Sequence, residues 1–402
     1  MSENGTVSVG VVGPGFIGAA HIEALRRLGF VKILGTAASN QRRAEEAAIR
    51  LGIPRAYRSY QEMIEDPSIG VIHNCTPNHL HLEINLAALD AAKHVVSEKP
   101  LAINAQETER LLERARAPAC SGLVTAVNFC YRYYPMVQEM RAMVRRGDLG
   151  RIYLVHGSYC QDWLLYDTDY NWRIEPELGG SARVLGDIGS HWCDMAEYVT
   201  GMRITRVVAD AAIVIPTRKK PGDTTRMFQT ATSNYEEVKV TTEDLAGVLM
   251  VFDSGARGAL VVSQVSAGRK NRLEIRIDGS ERSVAWNQEE SNVLWIGERN
   301  RPNRLLLKDP HLLTDAARAY AHYPGGHNEG YPDINKNLFA NVYAAIKRRG
   351  ETSSHSHTSG VGSTDGDFPS FVDGHRAAVI IDAIVESCKN GEWVRVGKEE
   401  PC

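Results

Sequence analysis

Between Val7 and Phe129 the chain alternates short apolar runs with longer amphipathic ones, and this alternation leaves little freedom of fold. The apolar runs are Val7–Val12, Val31–Ala37, Val71–Cys75, His94–Glu98 and Leu123–Phe129. Between them lie segments with helical periodicity, among them Ile17–Leu28, Gln41–Leu51, Leu80–Ala92 and Ala105–Ala115. Strands separated by helices pair in parallel, with the helices packed on both faces. The reading is an α/β domain with a doubly wound parallel sheet over residues 1–129.

The remainder follows another rule. After an expected helix over Pro135–Arg146, with Gly147 as its stop, strand signals dominate. They are Ile152–Cys160, Ile204–Ile215, Leu245–Phe252, Arg257–Val265, Leu273–Asp278 and Ser283–Trp286. Turn signals such as Asp253-Ser254-Gly255 and Asp278-Gly279 join them as hairpins. Residues 130–402 are therefore expected to form an α+β domain with a large, mostly antiparallel open sheet. That domain would supply the substrate side of a cleft and the surface for self-association. A chain of 402 residues exceeds one ordinary core, which agrees with two domains.

Composition removes several functions. A net charge of −3 gives no electrostatic reason to bind nucleic acid or an anionic membrane. No apolar run approaches the roughly 20 residues that span a bilayer. Met1–Gly5 lacks a basic region followed by an apolar one, so no signal peptide is expected and the expected location is cytoplasmic. The seven cysteines are scattered and contain no C-x-x-C, which fits free thiols better than disulfides or a metal site. His191 and Cys193 point different ways on a helix, and Ser354-His355-Ser356-His357 reads as a surface loop within 351–370. No metal is expected.

The first chemical signal is Gly13-Pro14-Gly15-Phe16-Ile17-Gly18, between a strand and a helix. In that context Gly13 permits a tight turn, Gly15 admits a pyrophosphate and Gly18 lets the helix pack closely. The N–H groups of the helix start, at Phe16 and Ile17, face the phosphates. An acid that binds the ribose is expected at the end of the second strand, but Thr36-Ala37-Ala38-Ser39-Asn40 contains no carboxylate. Ser39, Arg42 and Arg43 suit a 2′-phosphate, and Asn40 suits a ribose hydroxyl. Arg42 and Arg43 read equally as the surface of a helix, so the cofactor is NAD or NADP, with a slight lean toward NADP.

The second signal is Glu98-Lys99-Pro100 at a strand's carboxyl end, where open α/β sheets bind ligands. Adjacent strand residues face opposite sides, so Glu98 is expected to face away from Lys99. The third is Asp187 to Val199, read as one helix with two stripes. Ile188, Trp192, Met195 and Val199 form the apolar stripe, and Asp187, His191, Asp194 and Tyr198 the polar one. A carboxylate beside an imidazole orients it and favours proton exchange near neutral pH.

Together these motifs resemble the Gfo/Idh/MocA family, named for glucose-fructose oxidoreductase and inositol dehydrogenase. The resemblance spans nearly the whole chain and rests on Gly13 to Gly18, Cys75-Thr76-Pro77-Asn78-His79, Glu98-Lys99-Pro100 and Asp187-x-x-x-His191. It implies NAD(P)-dependent oxidation of a sugar or cyclitol secondary alcohol, or the reverse, in a homodimer or homotetramer. Lys99, Asp187 and His191 match its catalytic positions. Thr76, Pro77, Asn78 and His79 match its cofactor loop, which Glu98 and Lys99 adjoin. Gln161, Trp163 and Arg173 lie in a stretch similar to the substrate segment of levoglucosan-type and glycoside 3-dehydrogenases.

The expected chemistry is hydride transfer, with Lys99 or His191 taking the hydroxyl proton and Asp187 orienting the histidine. Polar and aromatic groups for a polyol are available at Asn128, Tyr131, Arg132, Tyr159, Gln161, Asp162, Trp163, Tyr170, Trp172 and Arg173. Among these Trp163 and Arg173 are the stronger candidates, followed by Tyr131. Two alternatives use the same scaffold: a glycosidase acting through transient C3 oxidation on bound NAD, and a non-catalytic sugar sensor.

Overall fold

The computed structural model describes residues 6–222, 229–230, 234–352 and 366–397. The tract Ser354–His357 lies outside them. The chain divides into two compact units, Met1–Cys130 with Tyr331–Arg376, and Tyr131–Gly330 with Ala377–Cys402. Residues 331–376, which the sequence division assigned to the second domain, thus group with the first unit.

The first unit is built on β1 (Val7–Val12), α1 (Phe16–Arg26), β2 (Val31–Ala37), α2 (Gln41–Leu51), β3 (Arg55–Tyr57), α3 (Tyr60–Glu65), β4 (Val71–Asn74), α4 (His81–Asp90), β5 (His94–Ser97), α5 (Ala105–Arg116) and β6 (Thr125–Val127). The strands form one parallel sheet in the order β3-β2-β1-β4-β5-β6. The order reverses between β1 and β4, the place where doubly wound sheets bind ligands. Val9, Val11, Val71, Ile72, Val95 and Val96 are fully buried, as expected of strands covered on both faces. The alternation of the sequence is thus realised. Among its first eleven elements β3 and α3 were missed, being too short to show a period, and the long helix Tyr331–Thr352 was not expected either. Helix Tyr331–Thr352 adds to this unit, tied to α1 by Arg27 and Asp333 at 2.6 Å.

The second unit holds a nine-stranded sheet. From edge to edge it runs Arg304–Leu307, Val293–Gly297, Ser283–Asn287, Arg272–Gly279, Ile152–Cys160, Arg257–Ser263, Leu245–Phe252, Ile204–Ala212 and Val394–Arg395. Every pairing is antiparallel except that of Ile152–Cys160 with Arg257–Ser263. Helix Ser190–Thr200 lies on one face, where the Trp192 indole donates to the Glu274 carbonyl at 2.9 Å. Gly157 makes that approach possible, because a Cβ there would lie 2.9 Å from Trp192 Nε1. A fully buried hub anchors the segment that leads into this helix. Asp244 accepts from Arg183 and Arg218, and Arg218 in turn donates to the carbonyls of Leu164, Tyr166 and Asp169. Among the described residues no helix is long and apolar enough to cross a membrane.

A buried polar network holds the first unit together at the ends of its central strands. Glu98 Oε1 accepts from His21 of α1 at 2.9 Å and from the Asn128 amide at 2.5 Å, while Oε2 accepts the Lys99 N–H at 3.1 Å. The other nitrogen of His21 meets His73 Nδ1 at 2.9 Å, and His73 Nε2 meets the Tyr343 hydroxyl at 2.9 Å. His21, His73 and Tyr343 thus extend from Glu98 as one continuous chain of hydrogen bonds. Burial alone would raise the Glu98 pKa, but His21, Asn128 and the Lys99 charge together hold it down to about 2. Burial likewise keeps His73 well below its ordinary value, hence neutral.

The folded-state pKa of Glu98 lies below its ordinary 4.5, so its contribution to stability is complete above that value and is lost as pH falls toward about 2. The shift corresponds to about 3 kcal/mol. Glu98→Gln should lower stability at neutral pH and flatten the decline in the acid range, read as urea midpoints from pH 7 to pH 3. Parallel curves for the two proteins would refute the assignment.

Candidate active site

At the end of β1 the chain turns through Gly13, whose φ is +82° and where a Cβ would meet the Cys75 carbonyl oxygen at 2.6 Å. A Cβ on Gly18 would lie 2.3 Å from the Gly13 carbonyl oxygen. Gly15 differs, since a Cβ there would meet nothing within 4 Å. Gly13 and Gly18 therefore serve the fit of loop to helix, and Gly15 leaves open space. It is also the N-cap of α1, and no side chain caps that end. Open space above an uncapped helix start, beside Phe16 and Ile17, fits a dinucleotide pyrophosphate.

At the end of β2 Asn40 accepts the Arg43 N–H at 3.0 Å and so caps α2. Arg43 donates to Ser39 Oγ at 3.1 Å, and Arg42 pairs with Glu46 at 2.6 Å. Arg50, which the sequence reading did not mark, donates to the Pro14 carbonyl at 3.1 Å and ties α2 to the glycine loop.

The ends of β4 and β5 carry the other two motifs of this unit. Thr76 donates its hydroxyl to Asn74 Oδ1 at 2.7 Å, Pro77 follows, and Asn78 and His79 begin a short 3-10 turn. Asn78 is buried. Beyond β5, Glu98 is enclosed by protein partners and Lys99 is half-buried before a cis bond to Pro100. Lys99 is one of the charges that keep Glu98 ionised. The strand ends at Ser97, so its alternation does not extend to Glu98 and Lys99.

The second unit assembles a different group. His191, buried in the first turn of its helix, lies 4.5 Å from the Tyr131 ring and 6.4 Å from the Tyr159 ring, centre to centre. The two phenol oxygens are 2.7 Å apart. Asn271 joins them, accepting from Tyr159 at 2.7 Å and donating to Tyr131 at 3.2 Å. Gln161 donates to the same Asn271 oxygen at 2.7 Å, and the Trp163 indole donates to Gln161 at 2.7 Å. Burial, with Tyr131 and the Asp187 carboxylate nearby, pushes the Tyr159 phenol well above its ordinary pKa.

Asp187 accepts from Arg173 Nε at 3.1 Å and from Gln264 Nε2 at 2.9 Å. Its turn, Leu185–Gly189, is π-helical, and the α-helix begins only at Ser190. This corrects the single helix expected from Asp187 onward. Such turns recur at functional sites because they change which side chains share a face. The lower half of the polar stripe has another task. Asp194 forms a buried pair with Arg132, and Tyr198 accepts from Gln138 at 2.9 Å beneath the Arg141 guanidinium.

Of the expected substrate groups, the structure thus brings Tyr131 and Tyr159 to His191, links Gln161 and Trp163 to them through Asn271, and brings Arg173 to Asp187. Asn128 belongs to Glu98, Arg132 to Asp194, Tyr170 to Glu175, and Asp162 to Gly268 and Lys270. Asn271 and Gln264 were missed, since neither sits in a motif. Among the described residues no group of His, Cys, Asp and Glu could hold a metal ion.

Comparison with known proteins places this geometry in context. Residues 7–125 match the model of the oxidoreductase family with an NAD-binding Rossmann fold, and residues 137–285 match the GFO/IDH/MocA C-terminal domain. A levoglucosan dehydrogenase of Pseudarthrobacter phenanthrenivorans is 30% identical over 406 residues, covering 97% of this chain and 98% of its own. A myo-inositol 2-dehydrogenase of Thermotoga maritima is 26% identical over 301 residues, covering 74% and 81%. The structure is similar to that of levoglucosan dehydrogenase in complex with NADH and L-sorbose, with a TM-score of 0.84, 29% identity and coverage of 98% and 100%. With the nucleotide loop and the two-unit architecture both matched along nearly its whole length, the chain belongs to the Gfo/Idh/MocA family of NAD-binding oxidoreductases.

Proposed function

We propose that the protein is an NAD(P)-dependent dehydrogenase acting on a secondary alcohol of a sugar, anhydrosugar, glycoside or cyclitol. The observation that carries this reading is the network that reaches His191 through Tyr131 and Tyr159. Tyr131, Tyr159, Gln161, Trp163 and Asn271 alternate donors with acceptors and present aromatic faces. A polyol offers the complementary pattern, with hydroxyls that both donate and accept and C–H faces that lie on rings. Relatives named for levoglucosan and myo-inositol support the same class.

A bound nicotinamide supplies the hydride acceptor for oxidation and the donor for reduction. The alcohol proton passes to Lys99 or His191, and the Lys99 ammonium stabilises negative charge on the oxygen. Asp187, anchored by Arg173 and Gln264, orients the imidazole. Asp187 and His191 act on substrate held by Tyr131, Gln161, Trp163 and Arg173. Gly13, Gly15 and Gly18, with Phe16 and Ile17, hold the pyrophosphate, while Thr76 to His79 and the Glu98-Lys99 pair border the nicotinamide end. Ser39 and Arg43 receive a 2′-phosphate, and Asn40 lies beside the ribose.

The purified protein should reduce NAD or NADP with at least one member of a panel of levoglucosan, glucosides and inositols. Lys99→Ala should lower kcat at least about 100-fold and leave the NADH Kd within about threefold. Cofactor binding without turnover of any polyol would defeat the proposal. So would release of sugar from a glycoside without net NADH, which belongs to the glycosidase alternative. In the same assay Arg43→Ala should raise the KM for NADP roughly tenfold or more and leave that for NAD nearly unchanged. Equal effects on both would remove Arg43 from recognition of the phosphate.

Self-association as a dimer or tetramer is also proposed, through the sheet face opposite helix Ser190–Thr200. There Leu249 stands opposite Ala259, and Val261 opposite Gly247, with Leu249 54% and Val261 53% exposed. Paired apolar residues on an uncovered sheet mark an association surface. Sedimentation should give an oligomer for the native protein and a smaller species for Leu249→Asp; a native monomer refutes it.

A further inference from the structure

We propose that His81 is a positioning residue that sets the Thr76 loop and the Lys99–Pro100 turn against each other. The proposal rests on the roles given above to Thr76 and Lys99. His81 opens α4 and is fully buried. Its Nδ1 lies 2.6 Å from the Pro100 carbonyl oxygen and its Nε2 lies 2.9 Å from the Thr76 carbonyl oxygen. One ring therefore spans the segments that leave β4 and β5. Both partners are carbonyls and can only accept, so each bond requires an N–H on the ring. A neutral imidazole has one, and only the cation makes both bonds at once. Burial, with His79 adding to it, holds the pKa below 6.5 against the pull of the two carbonyls and Glu98.

A second bridge repeats the pattern one helical turn later. Asn85 lies four residues beyond His81 and so on the same face of α4. It accepts from the Asn74 amide at 2.9 Å and donates to Ser97 Oγ at 2.9 Å. Asn74 Oδ1 in turn accepts from the Thr76 hydroxyl, and the Ser97 hydroxyl donates to the Glu98 carbonyl at 3.0 Å. The first turns of α4 thus carry two side chains, each joining the end of β4 to the end of β5. His81 stands nearer the chemistry, its two nitrogens facing the carbonyls of Pro100 and Thr76, and the neutral ring donates to one of them at a time. An error there moves the cofactor loop and the lysine relative to each other, and a misplacement on the order of 1 Å costs roughly 100-fold in rate.

The test separates the two bonds. In His81→Asn the amide stands near the Nδ1 position and retains a donor for Pro100. In His81→Gln it stands near Nε2 and retains one for Thr76. His81→Leu retains neither. Each variant is measured for NADH Kd by calorimetry, for thermal midpoint without cofactor, and for kcat and KM with levoglucosan and myo-inositol. His81→Leu should lose roughly tenfold or more in kcat and bind NADH several-fold more weakly. His81→Gln should recover NADH affinity more than kcat, and His81→Asn kcat more than affinity. If all three lower the midpoint while NADH Kd and kcat stay within about twofold of the native values, His81 only stabilises the fold and the inference fails. Asn and Gln variants indistinguishable from Leu also overturn it. The NADH arm decides the matter even if neither polyol reacts. Lys99→Ala is run alongside. Full activity in that variant sinks the reading of the site, whereas an inactive Lys99→Ala with unaffected His81 variants sinks this inference alone.

Discussion

A charged carboxylate with its back to the core organises the first unit. Glu98 is buried, and a buried unpaired charge would be prohibitive. Three donors meet it, from α1, from the residue after β6 and from its own chain at Lys99. Each donor is thereby fixed in turn. His21 is held against His73, and His73 against Tyr343, which arrives from residues more than 200 positions away. The stiffness of the turn that carries Lys99 is inherited from this network. The proposed role of Lys99 is served by a backbone N–H anchored to a buried carboxylate.

The second unit reaches a similar end by other means. Asp187 has a donor on each oxygen, Arg173 on one and Gln264 on the other. The segment just before its turn is pinned by Arg183 to the buried Asp244, and Arg218 connects that same aspartate to the loop of Leu164, Tyr166 and Asp169. The loop with Trp163 and the turn with Asp187 therefore share one anchor. Breaking a buried pair of this kind is costly because it strands a charge, so substrate-side geometry and stability are coupled here.

What could be read from the sequence follows from how local each signal is. The parallel sheet was legible because strand and helix periods are local, and the glycine loop because its turn and its helix start are adjacent. Lys99 was legible through its strand end. The partners of Glu98 were not, since His21, His73 and Tyr343 lie in separate elements and only the fold brings them together. Asn271 and Gln264 were invisible for the same reason. The stripe from Asp187 to Tyr198 shows where periodicity misleads. The spacing was real, but the π-helical turn detaches Asp187 from the regular helix, and Asp194 serves a buried arginine. Spacing states which residues share a face, and it is silent on what that face meets.

The cofactor region shows the same division of labour on a smaller scale. Its phosphate end is made of backbone, where Gly13 and Gly18 fit so closely that a Cβ would collide with main-chain oxygens. Its catalytic end rests on buried hydrogen bonds. At the end of β2, where the proposed ribose contacts lie, the side chains are near solvent, and Arg43 bonds Ser39 on the surface. A substitution at either position leaves the sheet undisturbed, whereas one at Gly18 or Glu98 disturbs close main-chain packing or a buried network. The end of β2, which carries no acid, is thus a place where side chains can vary with little cost to the sheet, Asn40 excepted because it caps α2.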